Sequence, residues 1–231
     1  MKIVVINGTE IKGCTYHLKE CFLNSLDGEN TITEFYLPKD APHFCCGCKT
    51  CFFKSENLCP HAKYIMPIWN AILAADLLVF TYPVYALHAP GQVKALLDHL
   101  CCHWMVHRPE KVMFKKRAVI LTQSIGAPNG TAQKDVATSL TWMGVSSIKT
   151  LGFGLMEGVI WEELSEKRKQ QMKLKIKKLA SKYQNVKTVQ KNLKVKMFFF
   201  MSKIMHKKTL KTEKQISADN QHWIEQGWLV K

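Results

Sequence analysis

Short apolar runs alternate with segments of helical period along the first two thirds of the chain. The strand-like runs are Lys2–Asn7, Thr31–Leu37, Asp76–Pro83, Ala118–Ser124 and Ile148–Leu155. Apolar residues at helical spacing lie between them, from Thr15 to Leu26, Ile65 to Leu73, Pro90 to Cys102 and Thr131 to Met143. This alternation predicts βαβ units. We therefore expect an α/β fold, a doubly wound sheet of five parallel strands in the order 2-1-3-4-5.

A long helix is predicted next, with Glu162 and Glu163 in its first turn. Its apolar face is expected to cover the sheet and consists of Leu164, Met172, Ile176, Leu179 and Tyr183. This helix would complete a domain of residues 1–184. Residues 185–231 would then form a basic, aromatic helical extension at the C-terminus.

The predicted extension carries a second apolar stripe, widened by Phe198 and Phe199. The stripe residues are Leu193, Met197, Phe200, Met201, Ile204 and Met205. A stripe at helical spacing indicates packing against the same protein or against a twin subunit. Contact of residues 193–208 with a membrane surface is the less favoured interpretation, based on the flanking lysines.

Composition narrows the class of protein. The chain has 231 residues, of which 47% are hydrophobic, enough to bury a core. It contains no apolar run of the roughly 18–20 residues that cross a bilayer. The first residues enter a strand directly instead of forming a signal peptide. We therefore expect a cytoplasmic protein whose nine cysteines are ligands or free thiols.

The net charge of +15 is unevenly distributed. Residues 1–161 hold 15 lysines and arginines against 12 acidic residues, whereas residues 162–231 hold 18 against 6. A basic segment attracts nucleic acid, anionic membranes or acidic partners. A solvated lysine-rich helix also accounts for it, and we favour that interpretation.

Two loops are expected at the carboxyl edge of the sheet, where ligands bind at the reversal of strand order. The loop Gly8–Tyr16 joins the first strand to a helix N-terminus and offers hydroxyls, glycines and Lys12, which suits a phosphate. It lacks the glycine spacing of the dinucleotide fingerprint and of the P-loop. The loop Thr81–Gly91 contains aromatic rings and prolines that could frame a flat ring system such as a flavin.

The densest chemical signal is the segment 45–59, which holds five cysteines. Cys45, Cys48, Cys51 and Cys59 have the spacing C-x-x-C-x-x-C-x7-C. Closely spaced thiolates can hold an iron–sulfur cluster or zinc, and His43 or His61 could replace one thiolate in a zinc site. Free thiols are the third alternative, and the spacing leaves all three open.

The runs INGTEIKGCT and TYPVYALHAPGQVKALLDH resemble the phosphate loop and the ring-binding segment of the NADPH-dependent FMN reductase family. The resemblance covers residues 1–155 and implies a flavodoxin-like fold with bound FMN. The cysteine loop is similar to that of the iron–sulfur flavoproteins, in which four cysteines bind a 4Fe–4S cluster.

The resemblance implies roles for particular residues. Thr9, Lys12, Gly13, Cys14 and Thr15 would surround the FMN phosphate. The isoalloxazine would contact Pro83, Val84 and Tyr85, with Thr122 to Gly126 closing its other side. Cys45, Cys48, Cys51 and Cys59 would hold the cluster. Glu10, Ile11 and Cys14 depart from the family pattern of Pro-Arg and Asn, so phosphate binding would depend on Lys12 and backbone amides.

The sequence thus predicts an FMN-dependent oxidoreductase or electron-transfer flavoprotein. It would take electrons from NAD(P)H or a reduced protein and pass them to a small molecule or a redox protein, as a homodimer or higher homo-oligomer. No side chain is expected to act as general acid, general base or nucleophile. The alternative is a zinc-bearing nucleic-acid-binding or interaction module on the same scaffold, although no nucleic-acid recognition motif is present.

Overall fold

The strand order is the one that the sequence predicts. In the computed structural model, which describes residues 1–156, 160–184 and 189–230, five parallel strands pair in the order β2-β1-β3-β4-β5. The strands are β1 (Lys2–Asn7), β2 (Thr31–Tyr36), β3 (Leu77–Pro83), β4 (Arg117–Ser124) and β5 (Ser147–Gly154). The doubly wound, flavodoxin-like fold class is therefore confirmed.

The helices are α1 (Cys14–Leu23), α2 (Thr50–Phe53), α3 (Ala62–Ala74), α4 (Gly91–Leu100), α5 (Gly130–Trp142), α6 (Glu166–Ala180), α7 (Leu193–Thr212) and α8 (Ala218–Glu225). Those that pack on the sheet cover both of its faces. Helices α1 and α6 share one core with one face of the central strands, and α3, α4 and α5 share another core with the opposite face. Burial on both faces explains why the central strands are continuous apolar runs.

The helix predicted to begin at Glu162 begins later. Glu162 and Glu163 lie in a short 3-10 turn, Trp161–Glu163, and α6 starts after Ser165. The Ser165 hydroxyl accepts a hydrogen bond from the Arg168 N–H. Serine is a preferred N-cap because its oxygen satisfies an otherwise unpaired amide, so the cap, and not the acidic pair, sets the start of α6.

The tail packs on a different face from the predicted stripe. The six stripe residues are 39–84% exposed, so the prediction that they pack against the same chain is wrong for the described residues. Phe198 instead stacks on Trp142 at 4.2 Å, and Phe199 stacks on Trp223 at 5.1 Å. These ring contacts fix the rotation of α7. Contact with a twin subunit and with a membrane surface stay predictions.

Helix α8 anchors the tail to the main body. The Trp223 indole N–H donates to the His107 carbonyl at 2.7 Å, and the Asp219 carboxylate contacts Arg108 at 2.5 Å. The predicted domain boundary after residue 184 adjoins residues 185–188, which lie outside the described residues. Across the described ranges, no helix has the length and apolar character to span a bilayer.

Candidate functional site

A cavity of about 250 Å³ opens at the carboxyl ends of β1, β3 and β4. Strand β1 lies between β2 and β3, so the connections after β1 and β3 diverge there, which is where open α/β sheets bind ligands. Its lining residues come from three loops and are Thr9, Ile11, Gly13, Cys14, Thr15, Pro83, Val84, Tyr85, Gln123, Ser124 and Ile125.

The loop between β1 and α1 is fixed by hydrogen bonds to its neighbours. The Gly8 N–H donates to the Thr81 carbonyl, and the Gln92 side-chain amide donates to the Gly8 carbonyl, both at 2.7 Å. A Cβ atom at Gly8 would lie 2.5 Å from the Tyr82 Cβ. Only glycine therefore lets this loop approach β3 closely enough to form the cavity wall.

The N-terminus of α1 points at this cavity. Its N-cap residue is Gly13, whose lack of a side chain leaves the first-turn amides without a side-chain cap. Exposed amides and the positive end of the helix dipole make such a terminus an anion site. Burial, and then the charge of Glu162, raise the pKa of Cys14 to about 11. The Cys14 thiol therefore stays neutral and does not repel an anion.

Lys12 does not contribute to the cavity wall. Its side chain is exposed, and its ammonium lies 5.4 Å from the centre of the Tyr16 ring. Among the described residues that line the cavity, none is a lysine or an arginine. An anion bound here would thus be held mainly by amides and hydroxyls.

The second wall is the loop after β3. The Val84 N–H donates to the Gln123 carbonyl at 2.7 Å, and Tyr85 and His88 exchange two backbone hydrogen bonds. Between them, Ala86 and Leu87 have φ values of 48° and 66°. Non-glycine residues rarely adopt this left-handed conformation, and strain of this kind gathers at ligand-binding positions.

Asp135 of α5 holds that strained turn in place. Its carboxylate accepts the Ala89 N–H at 3.0 Å and lies 3.1 Å from the His88 Nδ1. The same carboxylate is 3.9 Å from the Lys94 ammonium. The turn is therefore fixed by α5 before any ligand binds.

The third wall follows β4. Gln123, Ser124 and Ile125 line the cavity. Thr122 does not, because its hydroxyl accepts a hydrogen bond from the Gln133 amide at 2.8 Å and points toward α5. Gly126 also lies off the cavity, with φ of 74° and the Met156 Cγ 2.9 Å from where a Cβ atom would lie.

The structure thus brings seven of the ten predicted cofactor-binding residues to one cavity: Thr9, Gly13, Cys14, Thr15, Pro83, Val84 and Tyr85. It does not bring the other three, Lys12, Thr122 and Gly126, to the cavity. Sequence reasoning did not single out Ile11 as a lining residue or Gln123 within its loop. The alternation of side chains along β4 could have identified Gln123, since neighbours on a strand face opposite sides.

The mouth of the cavity is apolar and open. Ile11 is 74% exposed, Ile125 is 71% exposed and Tyr85 is 54% exposed. Large apolar side chains clustered at a cavity mouth indicate contact with a flat ligand or with another chain.

A second, smaller cavity of about 70 Å³ contains the cysteine segment. Cys45, Cys48, Cys51 and Cys59 all line it, together with Cys46 and Cys101. The first three cysteines of the segment, Cys45, Cys46 and Cys48, are exposed, whereas Cys51 and Cys59 are half-buried. The predicted ligands are therefore brought together, but at different depths.

Two histidines enter the same cavity. His61 is the N-cap residue of α3, and His99 lies in the last turn of α4. Their ligand nitrogens and the Cys59 sulfur all lie within 4.8 Å of one another. Burial, followed by the charges of His99 and His43, lowers the pKa of His61, so its imidazole is neutral at pH 7.

Arg108 fastens the cysteine segment to the tail. Its guanidinium donates to the Cys51 carbonyl and to the Phe52 carbonyl, and it pairs with Glu56 at 3.2 Å and with Asp219 at 2.5 Å. Arg108 is only 6% exposed. One buried cation therefore holds α2, the cysteine segment and α8 together.

The chain is similar to known proteins in sequence pattern and in fold. A family model described as NADPH-dependent FMN reductase matches residues 1–158. No curated protein sequence is similar enough to count as a relative.

Solved structures show the same fold. An FMN-dependent NADH-azoreductase from Bacillus anthracis, in complex with FMN, superimposes with a TM-score of 0.61 at 12% identity, covering 80% of this chain and 100% of that one. An NAD(P)H:quinone oxidoreductase from Methanothermobacter marburgensis gives 0.59 at 14% identity, covering 80% and 96%. An NADH:FMN oxidoreductase in its apo form gives 0.54 at 19% identity, covering 78% and 89%. At these identities the likeness establishes the fold.

Proposed function

The chain belongs to the NADPH-dependent FMN reductase family, and from this membership we propose that it is an FMN-dependent oxidoreductase. It would bind FMN in the cavity at the carboxyl ends of β1, β3 and β4, take electrons from NAD(P)H and pass them to a small-molecule acceptor. The observation that carries the proposal is the position of the α1 N-terminus, which opens on the same cavity as the strained loop after β3.

The phosphate would lie at the α1 N-terminus. Thr9 and Thr15 line this end of the cavity and can donate hydroxyl hydrogen bonds, and the uncapped first turn supplies amides. The neutral thiol of Cys14 adds no negative charge. This donor set fits a phosphate dianion although the family's arginine is replaced by Ile11.

The ring would lie against Pro83, Val84 and Tyr85, with Gln123 to Ile125 on the other side. FMN, when bound, supplies hydride and electron transfer. Of the described residues that line the cavity, none carries a carboxylate, an imidazole or an ammonium group. The chain's contribution is therefore to bind the phosphate, orient the ring and exclude water from one of its faces.

The open mouth supports two further parts of the proposal. At about 250 Å³ the cavity is slightly smaller than the roughly 300 Å³ of typical small-molecule sites, so part of the ring would stay uncovered. Ile11, Tyr85 and Ile125 surround that part. They suit a flat apolar acceptor such as a quinone or an azo compound, and a second copy of the chain could cover the same surface in a homodimer.

The proposed function is tested by FMN titration and turnover. We expect purified protein to quench FMN fluorescence with a stoichiometry of one per chain. We also expect the loaded protein to oxidise NADPH or NADH when a small quinone is added. Light scattering would give the oligomeric state in the same samples. A folded protein that fails to retain FMN would refute the proposal, whatever its oligomeric state.

The predicted 4Fe–4S cluster gains no support from the family match or from the solved structures. Such a cluster needs four thiolates in sites of this kind. Cys45, Cys48, Cys51 and Cys59 all line the small cavity, but the metal-ligating atoms of the described residues that converge most closely are one sulfur and two imidazole nitrogens. We therefore derive no step through a cluster. The zinc-bearing nucleic-acid-binding alternative gains no support from the cavity geometry.

A further inference from the structure

Three metal-ligating side chains meet at one end of the small cavity. Cys59 precedes α3, His61 is the α3 N-cap, and His99 comes from α4, which lies some forty residues later in the chain. We propose that Cys59, His61 and His99 bind one Zn²⁺ ion, with the fourth coordination position facing the cavity. Nothing in the proposed flavin chemistry requires this site, so the two proposals stand independently.

The spacing of the donors suits a single ion. One ligand atom from each side chain lies within 4.8 Å of the other two. Zn–N and Zn–S bonds are about 2.0–2.3 Å long, which places tetrahedral ligands about 3.3–3.8 Å apart. Small side-chain rotations therefore bring the three donors to bonding distance.

The type of donor favours zinc over the hard cations. Imidazole and thiolate are the ligands of Zn²⁺, whereas Mg²⁺ and Ca²⁺ take oxygen ligands. Three protein ligands with an open fourth position are the arrangement of reactive zinc sites. The cavity of about 70 Å³ beside them has room for water at that position, since one water needs about 10–15 Å³.

An unsatisfied nitrogen gives independent support. The Nδ1 atom of His61 is buried and has no hydrogen-bond partner in the described structure. Buried polar atoms are nearly always paired, and an exception requires an explanation such as an unseen ion. A metal at this nitrogen would remove the cost of leaving it unpaired.

The imidazole ring of His99 is oriented by His43. The Nε2 atom of His99 lies 3.1 Å from the His43 carbonyl oxygen. A carbonyl only accepts, so Nε2 carries the proton and Nδ1 carries the lone pair that a metal needs. His43 also stacks on His61 at 4.8 Å. Outer-shell contacts of this kind fix the tautomer and ring position of zinc-binding histidines.

The helices that carry these donors are rigid. Ile68 of α3 and Leu96 and Leu100 of α4 are fully buried in one core. The Cys59 carbonyl accepts the Ala62 N–H at 2.9 Å, which fixes the turn before α3. Sites built on packed helices hold their geometry better than sites on loops.

The test compares two variants that separate zinc from an iron–sulfur cluster. Zinc and iron are measured by mass spectrometry in protein purified anaerobically and washed with a weak chelator. Metal-free protein is then titrated with Co²⁺, whose thiolate charge-transfer band reports the Cys59 ligand. We expect one zinc per chain, at least a 100-fold loss of Co²⁺ affinity in His99→Gln, and unchanged affinity in the matched control Cys48→Ser.

Two results would overturn the proposal. Stoichiometric iron that is lost in Cys48→Ser but kept in His99→Gln would show that the cluster occupies this cavity. Equal, weak Co²⁺ binding by the unmodified protein and by His99→Gln would show that no site exists. His99 lies on α4, which also supports the large cavity, so a substitution there could destabilise the fold. Thermal unfolding of each variant is therefore recorded, and a His99→Gln protein that is misfolded is excluded from the comparison. His61→Gln then takes its place, because His61 is a ligand only in the zinc site and its side chain makes no cap hydrogen bond to α3.

Discussion

The proposed position of the FMN phosphate can be tested by placing one negatively charged side chain there. Gly13 is the α1 N-cap, with φ of −92°, a conformation that any residue adopts. A Cβ atom there would meet only the Ile11 Cγ2, at 4.0 Å. Aspartate is a favoured N-cap residue because its carboxylate accepts first-turn amides. Gly13→Asp should therefore fold, and even stabilise α1 by a few tenths of a kcal/mol.

The same carboxylate would occupy the place of the phosphate. Two unit charges 4 Å apart repel by about 4 kcal/mol at the effective dielectric constant of a protein surface. Each 1.4 kcal/mol is a tenfold change in affinity, so Gly13→Asp should weaken FMN binding by roughly 1,000-fold. No lining lysine or arginine among the described residues can offset the added charge.

Gly13→Asn is the matched control, since asparagine has nearly the same shape and is also a favoured N-cap, but is neutral. We expect it to bind FMN within about tenfold of the unmodified protein. FMN affinity is measured by fluorescence quenching. Riboflavin, which lacks the phosphate, is titrated in parallel and should bind all three proteins equally. If folded Gly13→Asp bound FMN as tightly as Gly13→Asn, the phosphate would not lie at the α1 N-terminus.

Three further predictions concern the framework of the site. Burial alone would raise the pKa of Glu34. Hydrogen bonds to its carboxylate, of which the one from Lys19 has the largest effect, lower this pKa overall. The resulting stabilisation is fully present at pH values above the pKa of glutamate in the unfolded chain, about 4.3. It is lost as the pH falls through the pKa of Glu34 in the folded protein. Lys19→Met should lower the free energy of unfolding by about 3 kcal/mol at pH 7, and its melting temperature should fall less steeply at acid pH. Lys2→Met should have neither effect. Ala86→Val should lower the free energy of unfolding in urea by about 1–2 kcal/mol, because a branched residue resists a φ of 48°, whereas Ala86→Gly should not. Arg108→Met should lower the free energy of unfolding by about 3 kcal/mol and increase amide hydrogen exchange in both α8 and the cysteine segment. Unchanged protection of the amides in both segments would refute the proposal that Arg108 links them.

The fold was predictable because its signal is local and repeated. The central strands β1, β3 and β4 are buried on both faces, which produces unbroken apolar runs that the sequence displays directly. Helix ends were less predictable, as at α6, where the Ser165 cap outweighed the acidic pair before it. The rotation of α7 depended on where Trp142 and Trp223 lie, and those positions are set by tertiary packing.

The large cavity, in which we propose that FMN binds, was predictable where its residues are consecutive. Thr9 to Thr15 and Pro83 to Tyr85 belong to single loops whose residue types already suggest phosphate and ring contacts. The charge of Lys12 favoured it as a phosphate ligand, yet its side chain is exposed and does not line the cavity. Nothing local in the sequence shows that this side chain points to solvent. In the proposed site the phosphate would instead lie at the α1 N-terminus, in a helix that periodicity does predict.

The proposed zinc ligands were only half predictable. Cys59 and His61 are two residues apart and were recognised as candidates from spacing. His99 was not, because its approach depends on α3 and α4 packing side by side on the sheet. In sequence, His99, His103 and His107 are four residues apart, a spacing that would place them on one helix face. In the structure His103 stacks on Trp69 at 3.8 Å and His107 contacts Asp219, so the three histidines have three different surroundings.

Helix α4 supports both cavities and separates them. Its first turn carries Gln92, which donates to the Gly8 carbonyl of the phosphate loop, and its last turn carries His99. Seven residues at 1.5 Å each place Gln92 and His99 about 10 Å apart along the helix axis. Because Val93, Leu96 and Leu100 are fully buried, the helix cannot shift without opening the core. FMN affinity should therefore be insensitive to metal removal, and a metal-site variant that also loses FMN has lost its fold, not a ligand.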